Sequence, residues 1–524
     1  MQNPTVTLRR DENQARALGE LAIDFLAGRL GDADDAVLSR VELFHLDSIA
    51  CSVSAIACGA NAPTVLRQEA MDYRSSQAKS HPRGVPLLGS RTLVMPEKAV
   101  LANCAAAREW DANGTNFGYN PARGHRRGEF GHNDFYPVVV AAAQQRGLDG
   151  RQTLRAMLLL DEIRGRLAEV FALKDHKIDH VVHGAIASAV VYGAMMEATA
   201  EQIESALGLL IAHYIPFRAI RAGHQLSDSK GASAAISAEM AVISVHRAMR
   251  GFVGPGDIFR NPQAIFCLFE PPKEPNTSPF DLTLSIAGGD FAVMGMHFKL
   301  GLYEHQSAGA IQGLINVLAA RPDLLDDPAK LVRIRIDIYE PAFGIIGDPH
   351  KRDPRTRQSA DHSMVYIIAT LLRKAYAWRQ RGMPAQVRPV DLWRELILLP
   401  ADYDDAALFD PLTRALMEKI EFRHGGPEYD AKYPDGIPTS LEIEHAELGR
   451  CASGLVMYPE GHARCADGHL DVLLSHKFQR LAGQGVRDVD SLAARFSNLA
   501  EKSADEIRTL YDFELTCGRS EAET

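Results

Sequence analysis

The sequence is poor in cysteine, and none of its cysteines falls in a ligand-like arrangement. Seven (Cys51, Cys58, Cys104, Cys267, Cys451, Cys465 and Cys517) are scattered over 524 residues. No CxxC pair occurs, which excludes zinc-finger and thioredoxin-type readings. Scattered thiols in a long chain fit a reducing compartment. No HExxH, GxSxG or P-loop segment occurs either, so three common catalytic signatures are missing. Long apolar runs are absent: stretches such as Gly184 to Met196 fall short of the ~18 residues that a spanning helix needs. The first residues, Met1 to Arg10, lack the apolar core of a signal peptide. A soluble, cytoplasmic protein is expected. Positive charge is not in excess: 57 Lys+Arg against 67 Asp+Glu gives 57 − 67 = −10. That argues against nucleic-acid or anionic-membrane partners, which require a basic face. It leaves room for an anionic small substrate in a local basic pocket.

What is present is ordinary globular composition, 46% hydrophobic and 24% charged. At roughly 150 residues per domain, the length suggests two to four domains. The first half reads as helices. Leu18, Leu21, Ala22, Phe25 and Leu26 follow one helical face. Leu43 to Cys58, Gly184 to Met196 and Gly231 to Met249 are uniformly apolar or Ala-rich, as helices buried on most sides are. Thr199-Ala-Glu-Gln202 is a capping-box pattern ahead of a helix over Ile203 to Ile211. The pattern changes after the prolines Pro271, Pro272, Pro275 and Pro279, which suggest a domain crossing. Val332 to Tyr339 alternates as a half-buried strand does. Leu441 to His445 and Gly454 to Pro459 are read as a hairpin around Leu448-Gly449. Asp361 to Tyr376 is helical between these strands, and the chain turns helical again after about Arg464. No internal repeat is visible. Lone Gly254-Pro-Gly256 reads as a turn.

Several polar residues stand beside runs that should be buried: Asp111, His132, His180, Lys230 and Lys299. Lysine is rarely buried without a partner. Each could snorkel to solvent; together they suggest a cationic pocket facing a polyanion. Asp175-His176-Lys-Ile-Asp179-His180 has the look of a metal cluster, but two histidines four apart make a weak ligand set, and a polar loop ahead of a buried helix is the alternative.

At these residues the chain resembles the MmgE/PrpD family, whose activities include 2-methylcitrate dehydratase, cis-aconitate decarboxylase and iminodisuccinate epimerase. The resemblance is carried by Trp110-Asp111-Ala-Asn-Gly-Thr115, Gly131-His132, Ile178-Asp179-His180, Lys230 ahead of its Ala-rich helix, and Phe298-Lys299 with His305. It continues in Asp361-His362-Ser363-Met-Val-Tyr366 and Tyr458-Pro-Glu-Gly-His462-Ala-Arg464. It spans nearly the whole chain. It implies a mainly α fold with an α+β insertion: a large helical domain formed by residues 1–285 and 465–524, and a smaller α+β lid over 286–464. It also implies a homodimer, a site in the cleft between domains, and chemistry without a metal or other cofactor. Two features depart from the family pattern. The stretch from Asp111 to His132 is longer, adding Asn116 to Gly131 with Arg123, His125, Arg126 and Arg127, and His132-Asn-Asp replaces His-Pro-Ser. The Lys299-to-His305 spacing also differs. The Arg-rich addition either meets a substrate carboxylate or is a solvated loop.

The expected activity is proton abstraction α to a carboxylate of a small polycarboxylic acid, most simply a 2-methylcitrate dehydratase-like hydro-lyase. A decarboxylase or an epimerase using the same pocket is the alternative, and a catalytically inactive carboxylate-binding homologue is a third reading. Such chemistry needs a base with a suitable pKa and positive charge where the enediolate forms. The resemblance implies catalytic roles for Asp111, His132, His180, Lys299 and Tyr366, and substrate binding by Thr115, Lys230, His305, His462 and Arg464. His132 with Asp111 would transfer the proton; Lys230, Lys299 and His180 would hold carboxylates; Tyr366 or His305 would protonate the leaving hydroxyl. Structural roles remain open for His305 and His462, and a local hydrogen bond for Thr115.

Overall fold

The computed structural model describes residues 4–75, 84–116, 119–121, 125–126, 131–221, 225–340, 342–346, 349–466 and 468–516. The chain is mainly helical, with one four-stranded sheet and several two-stranded pairings. The Ala-rich segments are the innermost helices. Helix Pro96–Arg108 packs along Asp228–Met249, which in turn packs along Val181–Met195. Small side chains at Ala99, Ala102, Ala105, Ala234, Ala235, Ala238 and Ala241 are all buried and allow close helix approach. Val181–Met195 is buried on nearly every residue, so it has no polar face. The Thr199 hydroxyl caps helix Ala200–His213 reciprocally with Gln202, as the sequence pattern predicts. Among the described residues no single helix is long and apolar enough to cross a membrane.

The sheet has the order Ile420–His424, Leu331–Ile338, Thr439–His445, Gly449–Val456. The first pair is parallel and the other two are antiparallel. The hairpin read from the sequence exists, with a longer second strand that starts at Gly449. Ile334, Ile336 and Ile338 face the core while Arg333 and Arg335 between them are only half-buried, which is the alternation of a one-face-buried strand; Val332 is exposed beside an irregularity in the pairing at the strand's start. Helix Ala308–Ala320 covers the hairpin, and helix Met364–Gln380 packs against it in turn. Several strands, all short, escaped the sequence reading. Ile420–His424 is short and polar on alternate residues, and Thr5–Leu8 pairs with Leu282–Ser285, a partner remote in sequence.

The two ends of the sequence meet. Helix Leu470–Ala482 packs on Asp35–Ala57, and Ala504–Arg508 packs on Tyr136–Arg146. The turn Leu499–Glu501 lies against the start of helix Gly150–Val170, where the Gly150 amide donates to the Lys502 carbonyl at 2.8 Å. A Cβ at Gly150 would fall inside the van der Waals radius of the Leu499 carbonyl oxygen. Gly150→Ala is therefore expected to lower stability by about 1–3 kcal/mol through overpacking. Thermal unfolding checks this, and an unchanged melting temperature would refute the close approach.

Candidate active site

The site grows from the end of helix Pro96–Arg108. Arg108 is its last residue, and the chain leaves through Asp111 in the left-handed conformation, φ 50°. That turn points the Asp111 carboxylate back at Arg108, with which it pairs. The chain then runs into Thr115, whose backbone pairs with two other segments. Thr115 and His297 exchange backbone hydrogen bonds of 3.0 and 2.9 Å, and Thr115 lies opposite His132 in a short antiparallel pair. Backbone pairing thus gathers three motifs distant in sequence. Lys299, two residues beyond His297, donates to the Asp111 carboxylate and to its carbonyl, both at 2.6 Å.

Two more elements converge on the same carboxylate. Lys230, in the first turn of helix Asp228–Met249, lies 3.6 Å from Asp111 and 2.8 Å from Asp361. His362 Nε2 sits 3.1 Å from Asp111, and its Nδ1 sits 2.5 Å from Asp361. Arg357 holds the other Asp361 oxygen at 3.0 Å, pairs with Glu109 and lies over the Trp110 ring at 5.0 Å. These charges are almost entirely out of water: Asp111 is 2%, Lys230 2% and Lys299 1% exposed. Burial alone would raise the Asp111 pKa, but Arg108, Lys299, Lys230 and His362 outweigh it and hold the carboxyl well below its usual range. Asp361 is brought down in the same way, to about 2, against burial, chiefly by Lys230 and His362. Lys230 shows the converse. Its burial outweighs Asp361 and Asp111 and brings the ammonium down to about 8.

The wall opposite carries His180. Asp179 is pinned by Arg221, partly at 3.2 Å, and lies 3.5 Å from His180 Nδ1. Burial, against the attraction of Asp179, drives the His180 pKa well below its ordinary value, so the ring is neutral at pH 7. His176 turns away to Glu270 at 3.2 Å and stacks on Phe269, so the Asp175-to-His180 segment is a polar loop. Among the described residues no three His, Cys, Asp or Glu side chains are placed to hold a metal ion.

These elements enclose a cavity of about 140 Å³, whose lining includes Asp111, Thr115, His180, Lys230, Lys299 and His305 among the expected residues. It also includes Arg108, Arg218, Arg221, Lys351, Glu304, Gln306 and His362, none of which was singled out as a site residue. Arg108 carried a detectable signal, being three residues before Asp111 on an Ala-rich helix. Arg218-Ala-Ile-Arg221 carried none beyond its charge. Six Lys/Arg side chains (108, 218, 221, 230, 299, 351) face two carboxylates (111, 304).

Three expected residues stand apart. Tyr366 is buried in helix Met364–Gln380, and its hydroxyl donates to the Asp402 carbonyl at 2.5 Å instead of facing the cavity. Arg464 pairs with Asp435 and covers the Tyr119 ring at 5.0 Å. His462 lies one layer behind the wall, stacked on His297 at 4.1 Å, which stacks on His305 at 5.1 Å. Gly461, at φ 84°, lets this segment press on residue 298: the Phe298 amide donates to the Gly461 carbonyl at 2.8 Å. The side chain of His132 and most of the Arg-rich stretch 116–131 lie outside the described residues, as does Cys517.

Residues 23–278 match the MmgE/PrpD N-terminal domain. The chain is 24% identical over 383 residues to a 2-methylcitrate dehydratase of Salmonella typhimurium (strain LT2), covering 70% of this chain and 72% of that one. It is 23% identical over 391 residues to a 2-methylcitrate dehydratase of Escherichia coli (strain K12), covering 73% and 74%.

Removing the Asp111 carboxylate leaves buried cations uncompensated, which costs about 3–5 kcal/mol. Asp111→Ala is expected to lose that much in chemical denaturation; a loss under 1 kcal/mol would contradict the arrangement. Asp361 gives an acid signature. Its folded pKa of about 2 lies below the ordinary 3.8, so its stabilisation is present above 3.8 and disappears as pH falls towards 2. Denaturation of Asp361→Asn across that window should show a shallower loss than the unsubstituted protein.

Proposed function

The chain is a member of the MmgE/PrpD family, and from that premise we propose that it is a lyase that removes a proton α to a carboxylate of a small hydroxy polycarboxylate, in the manner of a 2-methylcitrate dehydratase. The observation that carries this reading is the excess of cations around a neutral imidazole in one cavity. Deprotonation beside a carboxylate places two negative charges on one carboxyl group, and fixed cations in a water-poor cavity stabilise that state more than the ground state. Lys299, Lys230 and Arg108 are held at that position before substrate arrives, since each is already tethered to Asp111 or Asp361.

The geometry supports the following roles. His180 takes the α-proton: burial keeps it unprotonated, Asp179 faces its Nδ1, and incoming substrate carboxylates raise its affinity for a proton. Asp111 remains ionised and organises the cations rather than carrying the proton. Tyr366 has its hydroxyl committed to Asp402, so His305 is the expected donor that lines the cavity; burial and Lys299 hold its pKa down, so it would carry a proton only once substrate carboxylates raise it. His132 joins through the backbone pair with Thr115. Residues 286–464 would act as a lid, and a homodimer in the cytoplasm is the expected working form.

The test is proton NMR in D₂O with 2-methylcitrate, citrate, cis-aconitate and substituted malates. Net loss of water from a hydroxy acid is the expected result; no exchange with any of them overturns the reading. His180→Gln should lower kcat about 10²–10⁴-fold, the usual range for a general base; turnover near that of the unsubstituted enzyme removes His180 from the mechanism. Because Lys230 must be protonated to hold a carboxylate, kcat/KM should fall as pH rises through about 8. Lys230→Arg should move that alkaline limb upward, and an unmoved limb assigns it to another group.

A further inference from the structure

We infer that Arg218 is a specificity-determining residue of this cavity, binding the substrate carboxylate that is remote from the reacting carbon. The inference rests on the reading above and goes beyond it by naming the residue that reads the remote carboxylate. The cavity cations divide by their partners. Arg108 pairs with Asp111 and Asp134, Arg221 with Asp179, Lys230 with Asp361, and Lys299 with Asp111. Lys351 is engaged as well. Arg218 lines the same cavity yet, among the described residues, has no carboxylate within ion-pair distance. Arg218 feels Asp179 only at longer range, while Arg221 holds that carboxylate directly; a half-buried guanidinium with no direct ion pair among the described residues is a site for an incoming carboxylate, which its planar fork suits bidentately.

Its position is not left to chance. The Arg218 amide donates to the Lys177 carbonyl at 2.8 Å, the Asp179 amide donates to the Pro216 carbonyl at 2.9 Å, and Phe217 bridges to Ile178. The segment bearing Arg218 is thus laced to the segment that carries Asp179 and His180. Arg218 therefore stands at a fixed offset from the proposed base, on the same wall. The cations on Asp111 and Asp361 take the carboxylate on the reacting carbon, and Arg218 takes the remote one. Because its backbone hydrogen bonds do not involve the side chain, truncation removes the contact without removing the lacing.

The experiment is a binding cycle by calorimetry with tricarballylate, which has no hydroxyl to lose, and its isosteric terminal monoamide. The unsubstituted protein should bind the tricarboxylate about 10–100-fold more tightly, the worth of one charge-assisted hydrogen-bond set. Arg218→Gln should bind both ligands alike, at the affinity the unsubstituted protein shows for the monoamide, and Arg218→Lys should recover part of the preference. An undiminished preference in Arg218→Gln, or an equal loss for both ligands, overturns the assignment. Since neither ligand turns over, the cycle stands apart from the exchange assay: absent exchange with an intact charge preference sinks the lyase reading and keeps Arg218, and the reverse result does the opposite.

Discussion

The buried carboxylate of Asp111 is the contact on which the site depends. Arg108, Lys230 and Lys299 belong to three different elements, and in the interior they would repel one another at a cost that packing could not offset. One carboxylate at their centre, backed by Asp361, makes the cluster possible. The left-handed turn at Asp111 is its local counterpart: it returns the side chain to the helix end it has just left, where it meets Arg108. The two carboxylates offset most of the positive charge and leave a cationic surplus. An incoming polyanion therefore meets groups that are already oriented, and pays no reorganisation in forming its contacts.

A third lysine supports this centre from behind. Lys477 is fully buried and donates to Asp47 at 2.5 Å, to the Ala112 carbonyl at 2.6 Å and to the Lys299 carbonyl at 2.8 Å. Those carbonyls belong to the residue after Asp111 and to Lys299 itself. Lys477 thus fixes the two main-chain segments whose side chains form the Lys299–Asp111 pair. Functional side chains here are held at both ends, by charge at the tip and by backbone bonding at the root.

The helices were legible because their cause is local. The apolar or Ala-rich runs 43–58, 184–196 and 231–249 announce burial and fall in helices Asp35–Ala57, Val181–Met195 and Asp228–Met249, and the Thr199–Gln202 box announces a start. The central strand 331–338 declared itself by alternation. Strands Thr5–Leu8 and Ile420–His424 did not, since their cause is a partner far along the chain. The site was legible in the same uneven way. Asp111, His180, Lys230 and Lys299 are conspicuous because a charge beside an apolar run needs a reason. Arg218 and Arg221 follow a loop of mixed polarity, where arginine is unremarkable, and only the pairing with 177–179 turns them inward. Tyr366 shows the limit of motif order: on its helix it falls on the face towards Asp402, one layer away from the cavity. His462 is similar. Its motif serves the backbone, through Gly461 against Phe298, and brings the ring to the rear of a histidine stack.

The span between Asp47 and Lys477, 430 residues, bears on how the protein comes to be active. Ordering such a long closure is slow and is rewarded only when both segments are present. Until helix Leu470–Ala482 has emerged and docked, the carbonyls of Ala112 and Lys299 lack the donor that holds them, and Asp47 lacks its direct ion-pair partner. A ribosome-bound chain can therefore complete its Ala-rich helices and even its sheet while the chemistry stays unassembled. Maturation of the cavity is tied to the arrival of the last helical layer, so a half-made chain holds its cations without the geometry to use them.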